Sequence, residues 1–259
     1  MFKIDPNDFK IRCSAIGQIC GGTIGLTDAQ NIEYNELSTK FKLTAKQAEK
    51  LETLRDKRDN PELPQTAKSY CEKWLREKLY NRRRSIFTKE MEKGILCEES
   101  SIEYIAEELG LGMVFKNTER KSDEFMEGEA DLVLYDLVLD IKNSFDFMTF
   151  PLFETNVDKG YWLQLQGYMH LYNKPKARLV YTLMSLPEDL MLSEVFYGEK
   201  YGMDEDEIRA LHTYNHHELG SILTIKSFEF EFDSSVIDEI KERVRLYRLY
   251  IAELLNKIK

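Results

Sequence analysis

The hydrophobic positions of this chain change period several times, and each change marks an element. Residues 9–22 read as a short helix closed by Gly21-Gly22. From 26 to 58 the chain is polar and helix-prone, with apolar residues at Leu43, Ala48, Leu51 and Leu54. Thr44 with Gln47 three residues later makes a capping box. The segment reads as an extended helical hairpin, a candidate to project from the core, broken at Pro61 and Pro64. A further helix over 65–81 carries Tyr70, Trp74, Leu75 and Leu79 on its apolar side. Residues 88–109 read as one long amphipathic helix, with Met91, Ile95, Ile102, Ile105, Ala106 and Leu109 in a stripe and Gly110 and Gly112 at its end.

Beyond Gly112 the pattern turns to strands, expected at 113–119, 125–134 and 137–143, followed by a helix over 158–172. Residues 177–184 are so apolar that they read as a central, buried strand. Helices are expected over 187–199 and 204–217, and a strand over 221–232, ending in Phe228, Phe230 and Phe232. The last helix, 234–258, would bury Val236, Ile237, Ile240, Val244, Tyr247, Ile251, Leu254 and Ile258. This order predicts an α/β fold, a mixed central sheet flanked by helices with a helical N-terminal elaboration. With no internal repeat and no low-complexity linker, we expect a single domain over 1–259, with 26–81 as the elaboration and 88–185 as the core.

Composition narrows the class. A chain of 259 residues with 42% hydrophobic and 32% charged residues fits a soluble globular protein. No apolar run approaches the roughly 18 residues needed to cross a bilayer. The N-terminus has no signal-peptide core, so a cytoplasmic protein is expected. The net charge of −10 excludes a passive, strongly basic nucleic-acid binder. It leaves room for an enzyme whose acidic groups are offset by metal, and for local basic patches such as Arg82-Arg83-Arg84 with Arg76, Lys78 and Lys89. Cys13, Cys20, Cys71 and Cys97 form no CxxC pair and no zinc pattern, and are read as free thiols. His212 and His216 share a helix face near His217, but nothing beside them supports a second metal site.

The chemistry concentrates in residues 127–142, which read as a β-hairpin turning at Tyr135-Asp136. Asp131 opens its first strand; Asp140 and Lys142 close the second on one face, with Ile141 facing away. Two carboxylates and an ammonium converging at a strand end are costly to desolvate unless something pairs them. A divalent cation would, and Mg²⁺ takes oxygen ligands and binds substrate phosphate.

Asp131 followed after a turn by Asp140-Ile141-Lys142 resembles the PD-(D/E)XK nuclease superfamily, with Ala130 where the motif has Pro. Three further elements add to it, and those within residues 94–168, with Gly128-x-x-Asp131 among them, stand in family order. Gly94-Ile-Leu-Cys-Glu98 is similar to the Gly-x-x-x-Glu of lambda-exonuclease-like members, whose Glu helps hold metal; Glu99 is the next candidate. Gln164 and Tyr168, i and i+4 on one helix face, match a Gln-x-x-x-Tyr element of RecB-like and lambda-exonuclease-like nucleases. Gln166 lies roughly 200° round that helix, so only one of the two glutamines can face the site. Near the N-terminus, Arg12 and Ser14 are similar to groups that YqaJ-type and lambda-type phage recombination exonucleases use on a terminal 5′-phosphate. Asn143-Ser144 fits the small polar residues that follow the Lys, with Ser144, Gln166 and Tyr168 as further substrate contacts.

The resemblance covers roughly residues 9–185 and implies a site and an activity. Asp131, Asp140, Glu98 and the Ile141 carbonyl would hold Mg²⁺, with Mn²⁺ as a substitute. Lys142 and Gln164 would serve the reaction, and no iron–sulfur cluster is expected. The implied activity is hydrolysis of DNA phosphodiesters, as an end-resecting 5′ to 3′ double-strand exonuclease of phage or prophage recombination. It would work in the bacterial cytoplasm on double-stranded DNA ends, as a homo-oligomeric ring with a single-strand-annealing partner. The same core also serves endonucleases, and a non-catalytic DNA-binding or interaction module on this scaffold is the rival of a different class.

Overall fold

The computed structural model describes residues 4–258. In chain order, β1 (Ile11–Arg12) leads through a 3-10 turn (Cys13–Ala15) into α1 (Ile16–Cys20), then α2 (Asp28–Thr39), α3 (Ala45–Asp59) and α4 (Gln65–Tyr80). Next come α5 (Lys89–Leu96), α6 (Glu98–Glu108), β2 (Lys121–Ser122), β3 (Met126–Gly128), β4 (Leu132–Val133) and β5 (Leu137–Asn143). The chain continues with α7 (Lys159–Tyr172), β6 (Lys176–Thr182), α8 (Glu188–Glu199), α9 (Glu205–His212), α10 (His216–Leu219), α11 (Ser221–Thr224), β7 (Ile225–Glu231) and α12 (Ser234–Lys257). No helix among the described residues is long and apolar enough to cross a membrane.

The chain forms two compact units. The first takes the residues up to Lys10, Ala15–Arg82 and the chain from Glu239 onward. Its α2–α3 hairpin packs Leu26, Leu37 and Leu54 together, and each helix starts at a capping box, Thr27 with Gln30 and Thr44 with Gln47. Elsewhere in the unit, α12 lends polar side chains to orphan carbonyls. Tyr247 and Arg243 donate to the Ile19 carbonyl at the end of α1, at 2.8 and 3.0 Å, and Arg248 donates to that of Phe9. The register of α12 runs through Ile251 to a buried Leu255, leaving Ile258 exposed rather than buried as expected.

The second unit, Ile11–Ser14 with Arg83–Asp238, carries both sheets. A four-stranded sheet has the order β4-β5-β6-β7, with β5 and β6 parallel and the outer pairings antiparallel. β6 is central, as its apolar run requires. A second, small sheet has the order β1-β3-β2, with β1 and β3 parallel and β2 and β3 antiparallel. On one face of the larger sheet, Leu132, Leu139, Ile141 and Val180 pack against Ile102 and Ile105 of α6. Side chains alternate along β5, so Val138, Asp140 and Lys142 face the other way, toward α7. The mixed sheet flanked by helices is the fold class that the pattern implied.

Several elements differ from the sequence expectation. Ile11–Arg12 is a strand, not helix, because it pairs in parallel with Met126–Glu127. Residues 113–119 form no strand; Asn117 instead braces the hairpin, donating to the Ala130 carbonyl and the Tyr172 hydroxyl. The helix expected over 88–109 is two, parted at Cys97: α5 turns Lys93 inward and leaves Met91 and Ile95 exposed, so the expected stripe does not run on. The 204–217 helix breaks at residues 213–215, and the 221–232 strand begins with a helical turn.

Gly128 is where β3 meets α7 most closely: a Cβ there would lie 2.7 Å from both Cys13 Sγ and Tyr168 Cε1. Gly128→Ala is therefore expected to cost about 1–3 kcal/mol by overpacking. Urea unfolding checks this, and a variant as stable as the parent would contradict the packing described.

Candidate active site

The β4–β5 hairpin sets the geometry. Leu132 pairs with Leu139 and Val133 with Val138, so one step further the register puts Asp131 opposite Asp140. Asp131 Oδ2 accepts the Ile141 amide hydrogen at 2.6 Å, which locks the first carboxylate to the strand carrying the second. Asp140 is 2% exposed. Its Oδ1 accepts from Gln164 Nε2 at 2.8 Å, and its Oδ2 lies 2.7 Å from Lys142 Nζ. Oδ2 is buried, and the Lys142 ammonium is the one cationic group that meets it among the described residues. Lys142 also sits over the Tyr161 ring, 5.0 Å from its centroid.

Helix α7 supplies the covering groups. Its start is capped by Asp158, which accepts from the Gly160 amide at 2.7 Å. Gln164, one turn in, donates its second amide hydrogen to the Tyr168 hydroxyl at 3.0 Å. The i, i+4 spacing thus places both residues on the face that meets Asp140. Gln166 is not brought to the site. Its Nε2 donates to the Glu231 carbonyl and its Oε1 accepts from the Asp233 amide, each at 2.9 Å, fastening α7 to the end of β7.

The remaining candidates are placed less closely. Glu98 opens α6, and its carboxylate is held by Lys116 at 2.6 Å. Arg12, on β1, faces Glu127 at 3.8 Å, and Ser14 is exposed in the 3-10 turn. Ser144 is buried with no hydrogen-bond partner for its hydroxyl, while its amide donates to the Thr182 carbonyl at 2.9 Å. Sequence reasoning missed Lys116 and Tyr161 because neither stands in the motif's spacing. Their signal is only spatial: one comes from a coil, the other from the first turn of α7. The histidines do not make a second site: His212 stands edge-on to Phe145, and His216 stacks on Tyr104.

Electrostatics mark this spot. Burial, and then the neighbouring Asp140 charge, push the Asp131 carboxyl up from 3.8 to about 7. Burial disfavours the Lys142 charge, but the Asp140 carboxylate outweighs it and raises the ammonium's pKa. Two apposed carboxylates, the buried oxygen of one met by Lys142 and no other side chain, suit a hard divalent cation with oxygen ligands. Lys116 holds one oxygen of Glu98, Oε2, and no ready-made trio of His, Cys, Asp or Glu stands assembled among the described residues.

No family model and no curated protein matches the sequence. Solved structures do. The chain is similar to a phage-related exonuclease from Haemophilus somnus 129PT, at 24% identity over 97% of both chains, with a TM-score of 0.72. It is also similar to LHK-Exo, an alkaline exonuclease from Laribacter hongkongensis, at 12% identity over 96% of this chain and 91% of that one, with a TM-score of 0.56. LHK-Exo in complex with dAMP matches at 13% identity with a TM-score of 0.53. The chain therefore has the fold of these exonucleases.

The Asp131 shift gives a stability signature in metal-free protein. Unfolded Asp131 loses its proton near 3.8, whereas the folded chain keeps it to about 7. The folded state holds the extra proton between, so stability should fall as pH rises through that window. Urea unfolding in chelator across the window should show this slope, and Asp131→Asn should flatten it. Parallel profiles for parent and variant would contradict the assignment.

Proposed function

We propose that this chain is a metal-dependent deoxyribonuclease that hydrolyses DNA phosphodiesters, acting from the ends of double-stranded DNA. The observation that carries the reading is the set Asp131, Asp140, Lys142 and Gln164: Asp140 meets Lys142 and Gln164 at 2.7 and 2.8 Å, and Asp131 is tied at 2.6 Å to the Ile141 amide, between Asp140 and Lys142. An exonuclease fold over nearly the whole chain supports it, and the dAMP bound to LHK-Exo suggests a nucleotide-sized site in this architecture.

In this reading Asp131, Asp140 and the Ile141 carbonyl would hold Mg²⁺, or Mn²⁺ in its place, and Glu98 would complete the set. Bound metal supplies Lewis-acid polarisation of the phosphoryl group and a more acidic water. Lys142 keeps its proton beside Asp140 and places a positive charge where negative charge builds up on the phosphate. Gln164 fixes the rotamer of Asp140, and Tyr168 fixes Gln164. Arg12 and Ser14 are the proposed grip on a terminal phosphate, with Ser144 lining the strand exit. Gln166 is kept out of this set by its contacts with β7.

The finer role is resection with 5′ to 3′ polarity in phage or prophage recombination, by a ring-shaped homo-oligomer in the bacterial cytoplasm with a single-strand-annealing partner. A ring would explain how a chain of net charge −10 stays on DNA, since encirclement replaces electrostatic affinity.

Incubation with end-labelled linear duplex and covalently closed circular DNA, with and without Mg²⁺, tests the proposal. Mg²⁺-dependent loss of linear DNA alone is expected. Lys142→Ala and Asp140→Asn should lower the rate by about 10²-fold or more. Gln164→Leu, which removes only the support of Asp140, should cost about 10–100-fold. Cutting of the circle would replace the exonuclease by an endonuclease. Binding without cleavage would favour the non-catalytic module.

A further inference from the structure

Lys93, on α5, has no solvent exposure, and its ammonium makes no ion pair among the described residues. Instead its Nζ donates to three backbone carbonyls: Met184 at 2.6 Å, Ser144 at 2.8 Å and Phe145 at 2.9 Å. These contacts use every hydrogen an ammonium has. The rings of Phe145 and Tyr214 lie 6.0 Å from the charge. Burial pulls the ammonium down to about 8, so it keeps its proton at neutral pH. A side chain that only filled this space would be apolar, because burying an ammonium carries a desolvation cost that packing alone does not require.

The three carbonyls belong to two parallel strand exits. Ser144 and Phe145 leave β5, directly after Lys142-Asn143, and Met184 leaves β6. The Ser144 amide already bonds the Thr182 carbonyl, so the exits are tied from both sides. Asn143 is held there too, its Oδ1 accepting from Ser101 of α6 at 2.6 Å and from Thr182 at 2.7 Å. Lys93 lies on α5, which ends at Leu96, one residue before Cys97 and the start of α6 at Glu98.

We propose that Lys93 is a positioning residue, a buried clamp between the backbone leaving the Asp140-Ile141-Lys142 strand and α5, the helix that leads through Cys97 into Glu98 at the start of α6. Its consequence for catalysis rests on the nuclease reading, while the clamp itself is a property of the backbone. Lys93 touches no reacting group. It keeps Lys142 and Glu98, which come from opposite faces of the sheet, in a fixed mutual register.

Lys93→Met and Lys93→Gln in the full chain test this, read by amide hydrogen exchange and by steady-state cleavage of linear duplex with Mg²⁺. Exchange over 143–146 should quicken about tenfold or more in Lys93→Met, with β6 amides such as those of Leu179 and Val180 unchanged. The kcat should fall by about 10–100-fold with KM little altered, as expected when positioning alone is lost. Lys93→Gln, with two hydrogens to donate, should lie between. It also decides the matter if Lys93→Met does not fold. Parent-like exchange over 143–146 in a folded variant would overturn the clamp, and parent-like kcat would overturn its role in positioning. If the parent itself cleaves nothing while exchange still responds, the nuclease reading fails and the clamp stands.

Discussion

A carboxylate that is 2% exposed is the constraint around which the second unit is arranged. Asp140 sits in the middle of β5 because strand alternation, continued from Val138, turns it toward α7. A buried charge must be paired and hydrogen-bonded, or the strand would not tolerate it. Lys142, two residues on, provides the ion pair, and Gln164 provides the hydrogen bond from above. Tyr168 in turn accepts from Gln164. Its ring can lie against β3 only because Gly128 presents no side chain.

One lone-pair direction on Asp140 and the repulsion between Asp131 and Asp140 are left over from this arrangement. A structure built only for stability would neutralise both with apolar or amide side chains. Here they persist beside an ammonium. The imbalance is local: Asp131 lies on the hairpin's other strand yet is tied to β5 through the Ile141 amide, so neither carboxylate can swing away. The hairpin thus holds two like charges together and leaves a cation as the natural complement.

Much of this was legible in the sequence because it follows from short periods. A spacing of two puts Asp140 and Lys142 on one face; a spacing of four puts Gln164 and Tyr168 on another. Thr44 and Gln47 announce their capping box in the same local way. The parts that were not legible depend on partners distant in sequence. Lys93 was passed over because a lysine in an amphipathic pattern reads as solvated, whereas three carbonyls from residues 144–184 draw it inside and rotate α5 with it. Lys116 comes from coil and is matched to Glu98 only in space. The two residues of β1 are too few to show a period. Helix angle lets only one of Gln164 and Gln166 face the site and the Gln-x-x-x-Tyr spacing favours Gln164, but the bonds that hold Gln166 elsewhere come from residues 231 and 233, far off in sequence.

Calorimetric titration of the chain with Mn²⁺ tests the central claim most directly, because it reads the site without requiring DNA, an oligomer or a cleavage polarity. Binding by the parent protein that is lost in Asp140→Asn, with the fold retained, is the result this account predicts. No binding by the parent, or equal binding by the variant, would contradict it.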